Sequence, residues 1–275
     1  MIQSSHLVQA QWLNEHLSNP EVIVIDTRFS LADPQLGEHQ YRTGHIPGTY
    51  YLDLDRDLSG PIQDHGGRHP LPDWEDFVTK LNRMGLQSKP ATQVVIYDDS
   101  RFAFASRLWW MLRYLGHKNV AILDGGFRAW ATAGLPLETQ APDSQEGNFL
   151  PSFQQEWIVD IEAVKGHRQQ TGGVVIDSRS PARYRGEVEP IDPIAGSIPG
   201  AVNAFWQKVT TEEGVLKNPE LLADQWSNLT PDSDAIFYCG SGVTACVNLF
   251  ALTVLGHPMH KLYPGGWSDW CSSLV

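Results

Sequence analysis

Length, composition and charge exclude several classes of protein. The chain has 275 residues, 41% of them hydrophobic and 19% charged, with no apolar run of membrane-spanning length, so a globular protein that does not cross a bilayer is expected. A net charge of −12 without a cluster of Lys or Arg argues against nucleic acid as the main partner.

The start of the chain and its cysteines bear on the cellular compartment. MIQSSHLVQAQWLNEHL reads as an amphipathic helix and not as a secretory leader, which makes the cytoplasm the expected location by default. Three cysteines are an odd number in a chain too large to need disulfide bonds. A reducing compartment and at least one free thiol are therefore expected.

Short runs rich in Val and Ile alternate with segments of helical period in both halves of the chain. The first half has VIVID, QVVIYD and VAIL with the helical FASRLWWMLRYLG, and the second has VVID, AIFY and HKLY with ACVNLFALTVLG. Continuous apolar strands between helices predict, for each half, an α/β domain with a mainly parallel sheet and helices on both faces.

The two halves also repeat one another. VIVIDTR matches VVIDSR, so that Asp26 pairs with Asp177, and later segments match around the two IPG turns and around GGFRAW and GGWSDW. Such repetition predicts tandem domains. We place the first at residues 1–140, a polar linker with several prolines at 141–155, and the second at 156–275.

The loop CGSGVTAC carries the chemistry of the second half. Cys239 follows the strand AIFY and precedes a helix, so it lies at the carboxyl end of a strand, where open α/β sheets bind ligands. Gly240 and Gly242 let the backbone curl so that amides point inward at an anion. Such a loop stabilises a thiolate or a persulfide, which makes Cys239 the candidate nucleophile. Cys246, two helical turns further on, is expected in the core.

Three rival functions of this loop are disfavoured by single positions. GSGVTA matches a dinucleotide-binding fingerprint, but no acidic residue follows where ribose recognition needs one. A cysteine phosphatase needs an arginine at the end of the loop, where Ala245 stands. A serine hydrolase needs glycine at the position of Cys239, so Ser241 is not the nucleophile.

These features together resemble the tandem-domain rhodanese and 3-mercaptopyruvate sulfurtransferase family. The resemblance rests on the duplicated halves, the D-x-R strand ends, the IPG turns, CGSGVTA and GGWSDW, and it covers nearly the whole chain. It implies that only the second domain keeps the catalytic cysteine, and Asp98 stands opposite Cys239 in the internal alignment.

The resemblance also implies the reaction. Sulfur moves from a small-molecule donor to a persulfide on Cys239 and then to cyanide or to a thiol acceptor such as thioredoxin, with no metal or organic cofactor. The small neutral loop is typical of enzymes that use 3-mercaptopyruvate, with thiosulfate as the alternative donor. A non-catalytic persulfide carrier fed by a partner protein is a further possibility. The loop residues expected to bind substrate are Gly240, Gly242, Val243 and Thr244.

Further site residues follow from the resemblance. Arg183 is the position that binds the donor's carboxylate or sulfonate, whereas Arg179 is expected to pair with Asp177 and to hold the fold. Family members that use 3-mercaptopyruvate carry a second arginine nine residues after the first; here that position is Asp192.

A relay of Ser, His and Asp polarises the substrate carbonyl in the same enzymes. The matching positions are Ser241, His69 and Asp55, of which His69 lies in a loop rich in Gly, Pro and Asp.

Overall fold

The computed structural model describes residues 6–89, 92–167, 173–226 and 229–274. These residues form two compact units. The first unit contains the described parts of residues 1–59, 72–154 and 212–215, and the second contains the described parts of residues 60–71, 155–211 and 216–275.

One segment from the first half of the sequence belongs to the second unit. Residues 60–71, which include His69, pack with the second unit although the predicted first domain spans 1–140. The predicted limits of the domains and of the linker stay a prediction.

The first unit is built on a parallel sheet of five strands. In chain order its strands are β1 (Leu7–Val8), β2 (Val22–Asp26), β3 (Thr49–Tyr51), β4 (Gln93–Tyr97) and β5 (Val120–Leu123). Its helices are α1 (Ala10–His16), α2 (Leu36–Thr43), α3 (Trp74–Arg83), α4 (Ala105–Tyr114) and α5 (Gly126–Thr132). The strand order is β1-β5-β4-β2-β3, and every residue of β4 and β5 is buried, so both faces of the sheet are covered.

The second unit repeats this plan with four parallel strands. They are β6 (Val174–Asp177), β7 (Val202–Asn203), β8 (Ala235–Tyr238) and β9 (Lys261–Leu262), in the order β7-β6-β8-β9. The helices are α6 (Ile161–His167), α7 (Pro181–Tyr184), α8 (Pro219–Gln225), α9 (Ala245–Val254) and α10 (Gly266–Ser272), with 3₁₀ turns at Gln155–Trp157 and Trp206–Val209. The predicted pair of α/β domains with parallel sheets is thereby confirmed.

The duplicated D-x-R motif has the same structural role in both units. Arg179 Nη2 donates to Asp177 Oδ2 at 2.7 Å and to the carbonyl of Gly196 at 2.6 Å, so it ties the end of β6 to the chain two residues before the IPG turn. Arg28 Nη2 makes the same two contacts, with Asp26 and with the carbonyl of Gly44. The predicted Arg179–Asp177 pair is confirmed.

None of the helices within the described residues is both long and apolar enough to cross a membrane. The cytoplasmic location stays a prediction.

Candidate active site

Cys239 follows β8 directly and opens a short loop that ends where α9 begins. Its side chain is a buried free thiol, 2% exposed. The amides of Trp267 and Ser268, in the first turn of α10, donate to the carbonyls of Cys239 and Gly240 at 2.8 and 2.9 Å. Because the N–H of a trans peptide points opposite to its C=O, the amides of Gly240 and Ser241 face away from α10. The predicted strand–loop–helix setting of Cys239 is confirmed.

The backbone conformation of the loop requires glycine at position 242. Its φ is +72°, and a Cβ at this position would lie 2.4 Å from the carbonyl oxygen of Pro264. Any other residue would meet both the strain of the left-handed conformation and a clash with backbone. Val243 is buried beside it, and Thr244 is partly exposed and immediately precedes α9.

Two predicted relay residues, His69 and Ser241, are in contact within the second unit. His69 Nδ1 and Ser241 Oγ are hydrogen-bonded at 2.6 Å, and the two side chains are 7% and 5% exposed. The segment that carries His69 is anchored nearby, since the amide of Gly66 donates to Asp269 Oδ1 at 2.7 Å. A Cβ on Gly67 would lie 2.4 Å from the carbonyl oxygen of Gly265, so this close approach of two chain segments needs glycine.

Asp55, the third predicted relay residue, belongs to the first unit. Its amide donates to Asp53 Oδ1 at 2.9 Å, and its side chain lines an open cleft of that unit. Burial, assisted by the negative charge of Asp53, raises the pKa of the Asp55 carboxyl. Its participation in the relay stays a prediction.

Arg183 lies at the end of α7 with its guanidinium partly exposed. Nε and Nη2 donate to the two carboxylate oxygens of Glu189 at 3.1 and 2.6 Å, and Nη2 also reaches Asp192 Oδ2 at 3.2 Å. Although burial opposes it, the hydrogen bonds from Arg183 lower the pKa of Glu189. Arg183 is 3.6 Å from the position of a Cβ on Gly240, which places it beside the loop; its role in binding the donor stays a prediction.

Arg68 is a residue of this site that the sequence motifs did not single out. Its Nη1 is paired with Asp192 Oδ1, and its Nη2 is 2.9 Å from the Cβ position of Gly240. The only sequence signals were its place next to His69 and the acidic residue at 192, where a second arginine was expected.

The other two thiols have surroundings unlike those of Cys239. Cys246 is fully buried in α9, with Sγ donating to the carbonyl of Gly242 at 3.4 Å. Burial, with a contribution from Asp192, raises the pKa of the Cys271 thiol to about 11. Both environments suit core residues and disfavour reactivity.

The first unit has a loop that corresponds to the Cys239 loop, and the backbone amides of this loop bind a carboxylate of the same chain. Asp98, directly after β4, accepts hydrogen bonds from the amides of Ser100 and Phe102 at 2.9 and 3.1 Å, and from those of Phe104 and Ala105 at 2.9 Å each. Four inward amides therefore surround one buried carboxylate. Burial raises the pKa of Asp98 to about 6, although the hydrogen bonds from the loop amides oppose this shift.

Within the described parts of the chain, His, Cys, Asp and Glu residues form no group of three that could hold a metal ion.

Comparison with known proteins agrees with this geometry. The rhodanese-like domain family matches residues 9–133 and again 160–273. A Pseudomonas aeruginosa protein provisionally named 3-mercaptopyruvate sulfurtransferase is 43% identical over 274 residues, covering 98% of this chain and 96% of that protein. A Mycobacterium tuberculosis protein provisionally named thiosulfate sulfurtransferase SseB is 37% identical, covering 91% and 88%.

A solved structure extends the likeness to the whole fold. The crystal structure of the Escherichia coli 3-mercaptopyruvate enzyme SseA matches with a TM-score of 0.83 and 34% identity, covering 96% of this chain and 99% of that one. The resemblance seen in the sequence is thus confirmed. The chain belongs to the rhodanese-like sulfurtransferase family, as a member with two copies of the domain.

Proposed function

We propose that the protein transfers sulfur from 3-mercaptopyruvate, through a persulfide on Cys239, to cyanide or to a thiol acceptor such as thioredoxin. The names of the relatives and the neutral loop CGSGVT support this donor, and thiosulfate is the alternative. Cys239, at the end of β8 in a glycine-bearing loop, is the only thiol placed where the fold binds ligands among the three described cysteines.

The observation that carries the proposal is the carboxylate of Asp98. In the corresponding loop of the first unit, four backbone amides donate to the carboxylate oxygens of Asp98, which lie two bonds from its Cβ. The outer sulfur of a cysteine persulfide is also two bonds from Cβ. Asp98 is therefore an internal analogue of the persulfide anion, which a similarly curled loop beside Cys239 would stabilise by the same inward amides.

In the first half-reaction the Cys239 thiolate attacks the thiol sulfur of 3-mercaptopyruvate. A sulfur–sulfur bond forms and the carbon–sulfur bond breaks, and its electron pair passes to the carbon as the enolate of pyruvate, which then takes up a proton. Arg183 binds the carboxylate of the donor. With its proton on Nδ1, His69 donates a hydrogen bond to Ser241 Oγ. The Ser241 hydroxyl can then donate its own proton in a hydrogen bond to the carbonyl oxygen of 3-mercaptopyruvate, which stabilises the enolate.

In the second half-reaction an acceptor attacks the outer sulfur of the persulfide. Cyanide leaves as thiocyanate, or a thiolate leaves as a persulfide, and the Cys239 thiolate is restored in either case. The two steps exchange one sulfur atom without net oxidation or reduction of the enzyme.

Intact-mass spectrometry after mixing with each donor tests the proposal. We expect 3-mercaptopyruvate to add one sulfur atom to the protein, cyanide to remove it, and the Cys239→Ser variant to gain none. Cys271→Ala is the matched control, because it removes a buried thiol in α10 whose hydrogen bond goes to the carbonyl of Ile194, outside the Cys239 loop, and it should load normally. Faster loading by thiosulfate would make that compound the donor. If folded protein is loaded by neither compound, the enzymatic proposal is wrong and a persulfide carrier fed by a partner protein replaces it.

A further inference from the structure

Asp269 of α10 is a buried carboxylate that binds two other parts of the second unit. Its Oδ1 accepts from the amide of Gly66 at 2.7 Å and its Oδ2 from the Tyr263 hydroxyl at 2.6 Å, and the residue is 8% exposed. Burial, together with the hydrogen bond to Asp269, raises the pKa of Tyr263, so its hydroxyl keeps its proton. Tyr263 therefore fixes one oxygen of the carboxylate while the other oxygen binds Gly66.

The Asp269 contact falls where segment 60–71 has the least intrinsic rigidity. Gly66 and Gly67 are adjacent and have φ of +101° and +81°. Glycine loses more conformational freedom on folding than any other residue, so two adjacent glycines keep one conformation only when contacts hold them. A Cβ on Gly66 would meet no atom of the described chain within 4 Å, so this glycine serves its own conformation and not a close approach. The carboxylate thus anchors the segment at its most flexible point.

The anchored glycine lies three residues before His69. His69 Nδ1 and Ser241 Oγ are 2.6 Å apart, and both side chains are buried. A hydrogen bond of this kind is lost when the two atoms separate by about 1 Å. The position of the backbone at Gly66 therefore decides whether the two side chains stay paired.

The helix that carries Asp269 holds the catalytic loop as well. The amides of Trp267 and Ser268 donate to the carbonyls of Cys239 and Gly240 at 2.8 and 2.9 Å, and Asp269 is the next residue along the helix. One turn of α10 therefore fixes both chain segments whose side chains meet in the relay hydrogen bond.

We propose that Asp269 is a positioning residue, which holds the Gly66 amide and thereby keeps His69 within hydrogen-bonding distance of Ser241. This inference rests on the proposed sulfurtransferase function and adds a residue to its first half-reaction, in which Ser241 donates to the carbonyl oxygen of 3-mercaptopyruvate. Asp269 acts through His69 and not on the substrate. A donor without a carbonyl group, such as thiosulfate, gains nothing from this arrangement.

Steady-state kinetics with two donors test this role. We expect Asp269→Ala to lower kcat for 3-mercaptopyruvate by about 10- to 100-fold, since the Gly66 amide loses a charged acceptor, and to change the turnover of thiosulfate little. Asp269→Asn keeps a neutral oxygen acceptor and should lie between. Asp224→Ala, which removes an exposed carboxylate of α8, is the matched control and should behave as wild type. Equal losses with both donors in Asp269→Ala would mean that Asp269 only stabilises the fold, which overturns the inference.

Two further variants identify the route of the effect. Added to His69→Asn, Asp269→Ala should lower kcat for 3-mercaptopyruvate no further, because both changes remove the same hydrogen bond. Tyr263→Phe removes the other partner of the carboxylate and should cost less than Asp269→Ala, since Gly66 keeps its acceptor. Losses that multiply in the double variant, or a Tyr263→Phe loss as large as that of Asp269→Ala, would contradict the positioning role.

Hydrogen exchange separates this inference from the proposed function, because the measurement needs no donor. We expect the amides of segment 60–71 to exchange about 10-fold faster or more in Asp269→Ala than in wild type. Asp269→Asn should show a smaller increase, and it serves as the test if the alanine variant does not fold. Unchanged exchange would refute the role of Asp269 even if sulfur transfer is confirmed. Faster exchange in a protein that neither donor loads would keep the anchoring of the segment and reject the sulfurtransferase proposal.

Discussion

His69 Nδ1 and Ser241 Oγ lie 2.6 Å apart in the second unit, and they belong to chain segments separated by 172 positions. Both side chains are buried. This hydrogen bond fixes the orientation of the His69 ring, and it also fixes the position of the Ser241 hydroxyl oxygen. The pair can therefore present a single, oriented donor beside Cys239.

We expect His69→Asn to affect the two candidate donors differently. The kcat for 3-mercaptopyruvate should fall by about 100-fold, because the oriented donor to its carbonyl is lost. Turnover of thiosulfate, which has no carbonyl, should change little. Steady-state kinetics with both donors measure the effect, and Ser241→Ala should reproduce it without adding to it in the double variant. Equal losses with both donors would instead assign the pair a structural role.

Gly242→Ala should abolish sulfur loading of Cys239. The added Cβ would lie 2.4 Å from the carbonyl oxygen of Pro264 in a residue with φ of +72°, so the loop must deform. Gly256→Ala is a matched control, because its φ is +86° but a Cβ there meets nothing within 4 Å. The control should cost about 1 kcal/mol of stability and keep full loading, as measured by intact mass. Normal loading of Gly242→Ala would show that the loop tolerates a different shape.

Asp98→Ala should lower the free energy of unfolding by about 3 kcal/mol or more. Four amides that now bind the buried carboxylate would lose their acceptor. Urea denaturation measures this change, and sulfur loading of the folded fraction should persist because Cys239 is untouched. Asp99→Ala, at the exposed neighbouring position, should change stability by less than about 0.5 kcal/mol. Equal stability of the two variants would contradict the role of Asp98 as the loop's internal anion.

His260 should make the stability of the protein depend on pH. Burial, with the charge of His257, lowers its pKa from 6.5 to about 4. Between these two values the unfolded chain binds a proton that the folded protein does not, so stability falls as the pH drops from about 6.5 to about 4. The loss should be on the order of 3 kcal/mol at most. Denaturation curves of wild type and His260→Phe across this range should diverge, the variant losing less; parallel curves would exclude the effect.

The order of chemical groups along the chain determined the fold class and the position of the candidate nucleophile. Repeated Val- and Ile-rich strands, each followed by a helix, predicted two α/β domains, and a glycine-bearing loop directly after AIFY placed Cys239 at the end of β8. These are local patterns, in which neighbouring residues decide the structure. The D-x-R pairs could be recognised for the same reason, since Asp177 and Arg179 lie two residues apart and bond to each other.

Only the tertiary structure showed which residues of segment 60–71 lie at the candidate active site. An arginine in a polar loop has no periodic or local signal that separates it from a solvated surface residue, so Arg68 could not be identified before its contact with Asp192 was seen. Asp98 was recognisable as the counterpart of Cys239, but the four amides that bind its carboxylate depend on the curl of the folded loop. Contacts of this kind form between residues that packing brings together, and local sequence patterns do not reveal them.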